Sequence, residues 1–449
     1  MPANNAAQAG KGQINLFEFE SNYSRPALDI ANGVIELSYY ESILDTEISA
    51  YAKLVDTGYR TQNGYSILEE DGINSTAGEK INLKITDGNG TTLSFTKEKH
   101  LRVRIPSELS GTTNKLNVSL SLFTQETIDN EEEEKRVIQH YDGKISDTVT
   151  KILRDVLGTP KNLNIEETLN TLSIVPTTTK PFYQCIWLGP RGVPNIPNAK
   201  GILAGFFFYE TYDGFNFRSI DKLSQQQPKR RFIYTNNKDL TVPVEYDAKI
   251  LEPPSISSSF DLKTILRTGS HTLSALKGLN PYESSYRKND VNSSSQFNLD
   301  NITGKEQPRF ATDLNIQEKV TKISYTLDGV GFVVEGKKLL DQLPKSTYVN
   351  WNKDEIVRQS SMRYNNLFTL KMSVVVPGDF TLRAGDLIFC DFPEISGQTT
   401  KTVSKKISGL YMIVDLCHYV AQGGCYVAQG GCYTRMNVVR ESIGRKPFK

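Results

Sequence analysis

The chain has 449 residues and a mass of 50.3 kDa, which suggests two to four domains at ordinary domain sizes. Hydrophobic residues make up 38%, or about 45% once glycine is counted, enough for a buried core and against general disorder. With 52 basic and 51 acidic residues the net charge is +1, so the general electrostatic footprint of a nucleic-acid binder is missing. The longest apolar stretch, Gly201–Tyr209, falls far short of the roughly 20 residues of a helical membrane span. Residues 1–11 are small and polar and read as a flexible arm, without the basic-then-apolar pattern of a secretory leader. Five cysteines, unevenly spaced, do not make a disulfide framework and point to a reducing cytoplasm as the site of synthesis; Cys185 and Cys390 sit in apolar runs and are expected to be buried thiols.

Short alternating runs predict strands at Gly33–Tyr40, Ile48–Val55, Tyr65–Leu68, Ile81–Thr86, Thr91–Thr96, Leu101–Ile105 and Leu116–Phe123. Asp87-Gly88-Asn89-Gly90 is the strongest hairpin signal, because glycine and asparagine accept the positive φ of such turns. Together these runs predict a small antiparallel barrel or sandwich. Glu131–Glu134 reads as a solvated charged loop. Ser146–Leu157 has helical spacing, with Ser146 as N-cap and Gly158 and Pro160 as stops, and Asn164–Leu172 is a second helix candidate. A strand-rich stretch follows, with a hairpin of Gly201–Tyr209 and Phe215–Ile220 about Tyr212-Asp213-Gly214.

Lys229-Arg230-Arg231 reads as a linker, after which Phe232–Tyr234 and Val242–Ile250 resume strand character. Leu262–Leu266 is short and undecided between helix and strand. Asn280–Pro308, rich in Ser, Asn and Asp, reads as a long mobile loop. Lys319–Thr326 and Gly331–Glu335 are expected to pair across Asp328-Gly329, and Asp354–Leu367 to be helical. Thr369–Val376, Asp386–Asp391, Gly409–Cys417 and Met436–Val439 close the chain as strands.

A faint internal echo links the two ends. Ala77-Gly78-Glu79 opens a strand leading to a second that ends at His100; Ala384-Gly385-Asp386 opens one leading to a strand that ends at His418. Another alternating strand follows each, Asn117–Phe123 and Asn437–Val439. The echo implies two barrels of one kind in one chain.

Motifs of known chemistry are scarce. No nucleophile elbow, H-E-x-x-H, Walker A loop or C-x-x-C occurs, and His100, His140, His271 and His418 are scattered. Gly329-Val330-Gly331 with Gly336 lacks the spacing of a dinucleotide loop. Asp87, Asn89 and Glu98 match three positions of a calcium loop, but Thr92 stands where that loop requires glycine. Cys417, His418, Cys425 and Cys432 form the one cysteine–histidine cluster and are weak candidates for zinc. Cys425 and Cys432 arise from a tandem copy, Tyr419–Cys425 repeated as Tyr426–Cys432, and one Gln-Gly-Gly suffices for the hairpin turn. The extra copy is expected to bulge out or lengthen that turn. No catalytic, cofactor or metal residue is therefore assigned with these four aside, and no specific nucleic-acid contact is expected.

Four stretches together resemble the baseplate hub protein of contractile-tailed bacteriophages, in its T-even-like and cyanophage form. They are Val34–Gly58, Val137–Leu157, Ala204–Asp221 and Arg363–Asp391, the last continuing to Val438–Ser442. Their order and spacing carry the resemblance. It implies a mainly β chain with α+β insertions: two tail-tube-like antiparallel β-barrels and two smaller α+β domains. By it the first barrel is 12–142, an α+β domain 143–227, the second barrel split between 228–262 and 365–449, and an inserted domain 263–364. It further implies a non-enzymatic homotrimer in the virion's tail baseplate. That ring adapts a three-fold central spike to a six-fold tail tube and leaves a channel for tape measure and DNA, with tube-initiator and wedge proteins around it. A phage-derived injection machine would use the same hub. The alternatives are a virion-associated hydrolase, which needs two carboxylates on a cleft, and a glycan-binding β protein, for which Trp187 and Trp351 are few.

Overall fold

Alternation in Val34–Ser42 puts Val34, Leu37, Tyr39 and Glu41 on one buried face, and every main strand of the first 124 residues repeats that logic. A computed structural model describes residues 10–23, 26–56, 75–112, 115–195, 204–235, 242–258, 282–283, 323–324, 356–357, 360, 363–364, 367–368, 370–393, 404, 407–422 and 431–440. The first strands are β1 (Gln13–Glu20), β2 (Leu28–Asp29), β3 (Val34–Ser42), β4 (Ser49–Asp56), β5 (Lys80–Thr86), β6 (Thr92–Phe95), β7 (Leu101–Thr112) and β8 (Lys115–Thr124). Their inner faces bury Phe17, Leu37, Tyr39, Leu83, Phe95 and Leu120 in one apolar core.

Helix α1 (Gln125–Glu131) leads into a small α+β layer. It holds β9 (Tyr141–Lys144), α2 (Ile145–Lys151), β10 (Leu163–Ile165), β11 (Thr171–Ile174), α3 (Pro181–Leu188), β12 (Phe206–Thr211), β13 (Gly214–Ser219) and α4 (Ile220–Ser224). A π-helical stretch, Ile152–Leu157, extends α2 and stops at Gly158, whose φ of 77° suits a glycine. The remaining strands are β14 (Arg230–Ile233), β15 (Ala248–Lys249), β16 (Ser255–Ser258), β17 (Tyr282–Glu283), β18 (Ile323–Ser324), β19 (Leu370–Pro377), β20 (Leu387–Asp391), β21 (Gly409–Ala421) and β22 (Gly431–Arg440). A further core of Phe232, Met372, Ile388, Tyr411 and Val438 lies among them. The chain is thus mainly β, with a few short helices.

Among the described residues fifteen strands join in one branched sheet. Within it the same pairing order occurs twice. One set runs β3-β4-β8-β7-β5-β1 and the other β16-β19-β22-β21-β20-β14. Numbered along the chain within each set, both read second, third, sixth, fifth, fourth, first. The register agrees as well: Ile81 stands opposite Leu101 and Ile388 opposite Tyr411. Pairing slips by one residue between Val103 and Pro106 in one set, and between Ile413 and Asp415 in the other.

The Gly-acid turns of the sequence echo are matched in atomic detail. Gly78 N donates to Val103 O and Val103 N to Glu79 O; Gly385 N donates to Ile413 O and Ile413 N to Asp386 O. Glu79 accepts from Thr76 N, and Asp386 from Arg383 N, each three residues back. Gly78 and Gly385 have φ of 84° and 89°, which is why glycine stands at both. The sets differ at their last member, where β1 is antiparallel to β5 but β14 is parallel to β20. His100 and His418 do not correspond, because β7 starts after His100 and its counterpart residue to Tyr411 is Leu101.

Several expectations are corrected. Asn164–Leu172 is not a helix: β10 pairs with β13, and Glu166 accepts from the backbone and hydroxyl of Ser219. Tertiary pairing overrides its helical spacing. The N-cap of α2 is Lys144 rather than Ser146, which is buried inside the helix. The strand-rich stretch before Phe206 contains helix α3, started by Pro181 at its first turn. Lys229–Arg231 is no linker, since β14 begins at Arg230, Lys229 pairs with Asp386 and Arg230 with Asp379. Strand character in Val242–Ile250 is confined to β15. Ile323–Ser324 pairs with Tyr282–Glu283, the latter inside the expected loop. Tyr65–Leu68, Leu262–Leu266 and most of 263–364 lie outside the described residues.

The duplicated segment has a simple register. Tyr419 faces Tyr433, Val420 faces Cys432 and Ala421 faces Gly431, with 422–430 between. One copy of the heptapeptide would give the same three pairs about a two-residue Gln-Gly turn. Removing residues 423–429 is therefore expected to leave the fold intact and to raise stability by about 1 kcal/mol through the shorter loop. Thermal unfolding of this deletion checks it; a lower midpoint would mean that the extra copy is integral to the fold.

Candidate functional site

The charged groups of interest are the ones the fold buries. Glu41 extends the inward row of β3 beyond Leu37 and Tyr39, and it is 1% exposed. Its carboxylate accepts from Tyr39 Oη at 2.8 Å, Tyr212 N at 2.9 Å and Ala384 N at 2.9 Å. Those donors belong to the first strand set, the β12–β13 turn and the segment before β20. One side chain thus ties three regions of the chain. Arg383 Nε lies 3.9 Å from the same carboxylate and 3.1 Å from Asp213, with its guanidinium 5.0 Å from the Tyr212 ring. Burial raises the Glu41 pKa, although Arg383 and the two backbone donors pull it down.

Around this point an apolar cluster draws on the same three regions. It packs Ile43, Phe207, Tyr209, Leu387, Met412 and Val414 with Tyr364, Leu367 and Phe368. Tyr364 and Leu367 come from the segment expected to be helical, whose described residues 356–357, 360, 363–364 and 367 are helical, and Phe368 follows it. Arg363 fastens it to Asp221 at 2.6 Å and to Ala204 O at 2.7 Å. A Cβ on Gly385 would meet Tyr209 Oη at 2.5 Å, so this close approach also needs glycine.

A second buried ionic group fixes the α+β layer to the first strand set. Lys161 Nζ lies 2.6 Å from Glu126 of α1 and 2.6 Å from Glu210 of β12. Glu210 also accepts from Thr124 Oγ1 and Ile48 N, and Glu126 from Thr159 Oγ1. Burial raises the Glu210 pKa, with Lys161 opposing it. For Lys161 burial works against the charge, but the two carboxylates outweigh it and its pKa rises.

The candidate zinc residues do not converge. Cys417 and His418 are neighbours in β21 and therefore point to opposite faces. Cys432 is buried in the first core, beside Gly12 and Gly378. Cys425 lies outside the described residues. His418 is fully buried, with Nδ1 2.9 Å from Thr434 Oγ1 and Nε2 3.3 Å from Leu382 O. A carbonyl only accepts, so Nε2 carries the proton and Nδ1 accepts from the hydroxyl. Its ring stacks on Tyr39 at 6.0 Å and tilts against Phe380 at 4.9 Å. Burial, with help from the Arg383 charge, pulls its pKa down to about 3. Among the described residues no three His, Cys, Asp or Glu side chains are grouped to hold a metal.

Asp87 likewise serves the fold. Its carboxylate accepts from Asn89 N and Thr91 N within the turn and from Phe380 N across the junction. Cys185 and Cys390 are buried thiols whose pKa burial pushes up. Trp187 is 8% exposed, with the Arg191 guanidinium 3.4 Å from its ring, and Trp351 lies outside the described residues. Glu41, Arg383, Lys161, Glu126 and Glu210 went unnoticed in the sequence. Glu41 had a signal, an acid in phase with Leu37 and Tyr39, and Glu210 had one in following the apolar Phe206–Tyr209 run. Lys161, next to a proline in a polar turn, had none.

Glu41→Leu strands the Arg383 charge and the buried donors, and should cost roughly 3–5 kcal/mol in urea unfolding; a loss under 1 kcal/mol would show that the junction does not depend on it. His418 binds its proton far less well folded than unfolded, so its stabilisation is complete above about pH 6.5 and is lost as pH falls towards 3. His418→Gln should remove up to about 1.4 kcal/mol per pH unit from that acid-side slope. Coincident pH–stability profiles for the two proteins would refute it.

No family model matches the chain, and no curated protein matches it. Among solved structures it is similar to the 43 kDa tail protein of prophage MuSo2 from Shewanella oneidensis, at 8% identity and a TM-score of 0.48, over 95% of this chain and 98% of that one. It is also similar to a tail protein from Neisseria meningitidis MC58, at 7% identity and a TM-score of 0.47, over 96% and 97%. A component of the type VI secretion system of E. coli is similar at 9% identity and a TM-score of 0.41, over 98% of this chain and 79% of its own.

Proposed function

We propose that this chain is a structural hub of a contractile tail's baseplate: a homotrimeric ring that adapts a three-fold spike to a six-fold tube. One observation carries the reading, the repetition of a six-strand pairing order within one chain. Three copies bring six like strand sets, so one ring can offer six-fold spacing on one face and three-fold spacing on the other. The domains keep the boundaries that the resemblance implies, with the two sets as its tube-like barrels, and the location is the virion's tail baseplate.

The junction supports this reading. Glu41, Glu210, Tyr212, Asp213, Arg383 and Ala384 all fall in the stretches that resemble the phage hub. Their charges serve to hold regions of the chain together. Glu126 and Glu210, one pair of carboxylates bridged by a cation, are buried around Lys161 rather than facing a cleft, so this pair does not serve the hydrolase reading. Spike, tube, tube-initiator and wedge proteins are the expected partners, with tape measure and DNA in the channel. Genomic neighbours would separate a phage from a phage-derived injection machine.

Light scattering over a concentration range tests the ring. The expected species has about three times the 50.3 kDa chain mass. A monomer that persists when the spike protein is co-expressed would overturn the hub reading.

A further inference from the structure

The Lys161 group places two carboxylates and one ammonium where water does not reach. Glu126, Lys161 and Glu210 are 2%, 6% and 0% exposed, and Lys161 Nζ lies 2.6 Å from each carboxylate. Neighbouring elements bring further titratable and polar groups. Strand β3 brings Tyr39, which feels the Glu210 charge, and Glu41, which faces Arg383. His100, ahead of β7, feels the Glu126 charge. Arg154 of the π-helical stretch donates to Thr159 O, two residues before Lys161. Strand β13 sets Phe215 opposite Glu210, while the β3–β4 turn and β8 bring the Ile48 N–H and the Thr124 hydroxyl.

The four carboxylate oxygens are not equally engaged. Glu126 accepts from Thr159 Oγ1 at 2.7 Å on one oxygen and from Lys161 on the other. Glu210 Oε1 accepts from Lys161, whereas Glu210 Oε2 has the longer contacts of Thr124 Oγ1 at 3.2 Å and Ile48 N at 3.3 Å. Thr124 Oγ1 lies in turn 3.3 Å from Oγ1 of Thr127, which is half-buried. A hydroxyl both donates and accepts. Thr124 can therefore donate to a Glu210 carboxylate, or accept from a Glu210 carboxylic acid while its own hydrogen turns to Thr127. Oε2 is the oxygen at which a proton finds an acceptor, and two threonine hydroxyls lead to it.

We propose that the Lys161 group is a reversible proton-binding site: one proton enters by Thr127 and Thr124, settles on Glu210 Oε2, and tightens the hold of the α+β layer on the first strand set. Oε2 gains the proton from solvent, Lys161 keeps its ammonium, and the three side chains pass from net −1 to neutral. Burial pushes the Glu210 pKa up to about 7, with Glu126 adding to the rise and Lys161 opposing it. In the unfolded chain the same carboxyl takes its proton near 4.5. The folded chain thus binds this proton more tightly. The stability it brings is fully present below about pH 4.5 and is lost as pH rises through about 7, opposite in sign to the contribution of His418. None of this rests on the hub reading.

Infrared difference spectroscopy of the full-length chain between about pH 8 and pH 6 tests the site. Exposed carboxylates stay ionised over that range, so the native protein should gain the C=O stretch of a buried carboxylic acid. Glu210→Gln should remove this gain. Glu126→Gln leaves Lys161 and Glu210 as a balanced pair and should move the gain to lower pH. Urea unfolding reads the linkage: in a His418→Gln background the unfolding constant should rise by up to about tenfold per pH unit between about pH 5 and 7, and adding Glu210→Gln should remove up to that much of the slope. A native chain with no such infrared gain overturns the proposal, whether or not the variants fold. A gain that persists in Glu210→Gln overturns it too, and assigns the proton to another carboxyl whose pKa burial raises, Glu41 or Asp87.

Discussion

A carboxylate buried where three regions of the chain meet is the constraint on which the rest depends. Glu41 has lost its water, and only Tyr39, the turn at Tyr212, the segment at Ala384 and the Arg383 charge replace it. A buried charge that loses one partner is costly, so the three regions dock together or not at all. The apolar cluster around it supplies the larger favourable area, but apolar packing is tolerant of small shifts in orientation. The hydrogen bonds of Glu41 are directional, and they join the first strand set to the β12–β13 turn and to the segment before β20.

The Lys161 group has the same role in the neighbouring layer. It joins α1, β12 and the end of β8. Burial raises the Glu210 pKa, with a smaller contribution from the neighbouring Glu126 charge, against the pull of Lys161. Both groups fasten separate elements of the chain to one another.

The same strand order occurs twice along the chain. The two sets join within the chain through one edge contact, β21 against β3. The parallel placement of β14, against the antiparallel β1, marks where the two sets have diverged. It lies at the far end of each pairing order, away from the strands that join the sets.

Local pattern determined most strands, because a half-buried strand writes its burial into every second residue. The Asp87–Gly90 hairpin, the Gly158 stop and the Gly-acid echo were all legible for that reason, since each depends on backbone conformations that few residues accept. Helix α3 and the strands of Asn164–Leu172 were not, because neighbours distant in sequence decide them. The same holds for the site. Cysteine and histidine spacing suggested a cluster at Cys417–Cys432, but strand alternation sends Cys417 and His418 to opposite faces. The groups that matter, Glu41 with Ala384 and Lys161 with Glu210, come together only in three dimensions, where loss of water makes each depend on the other.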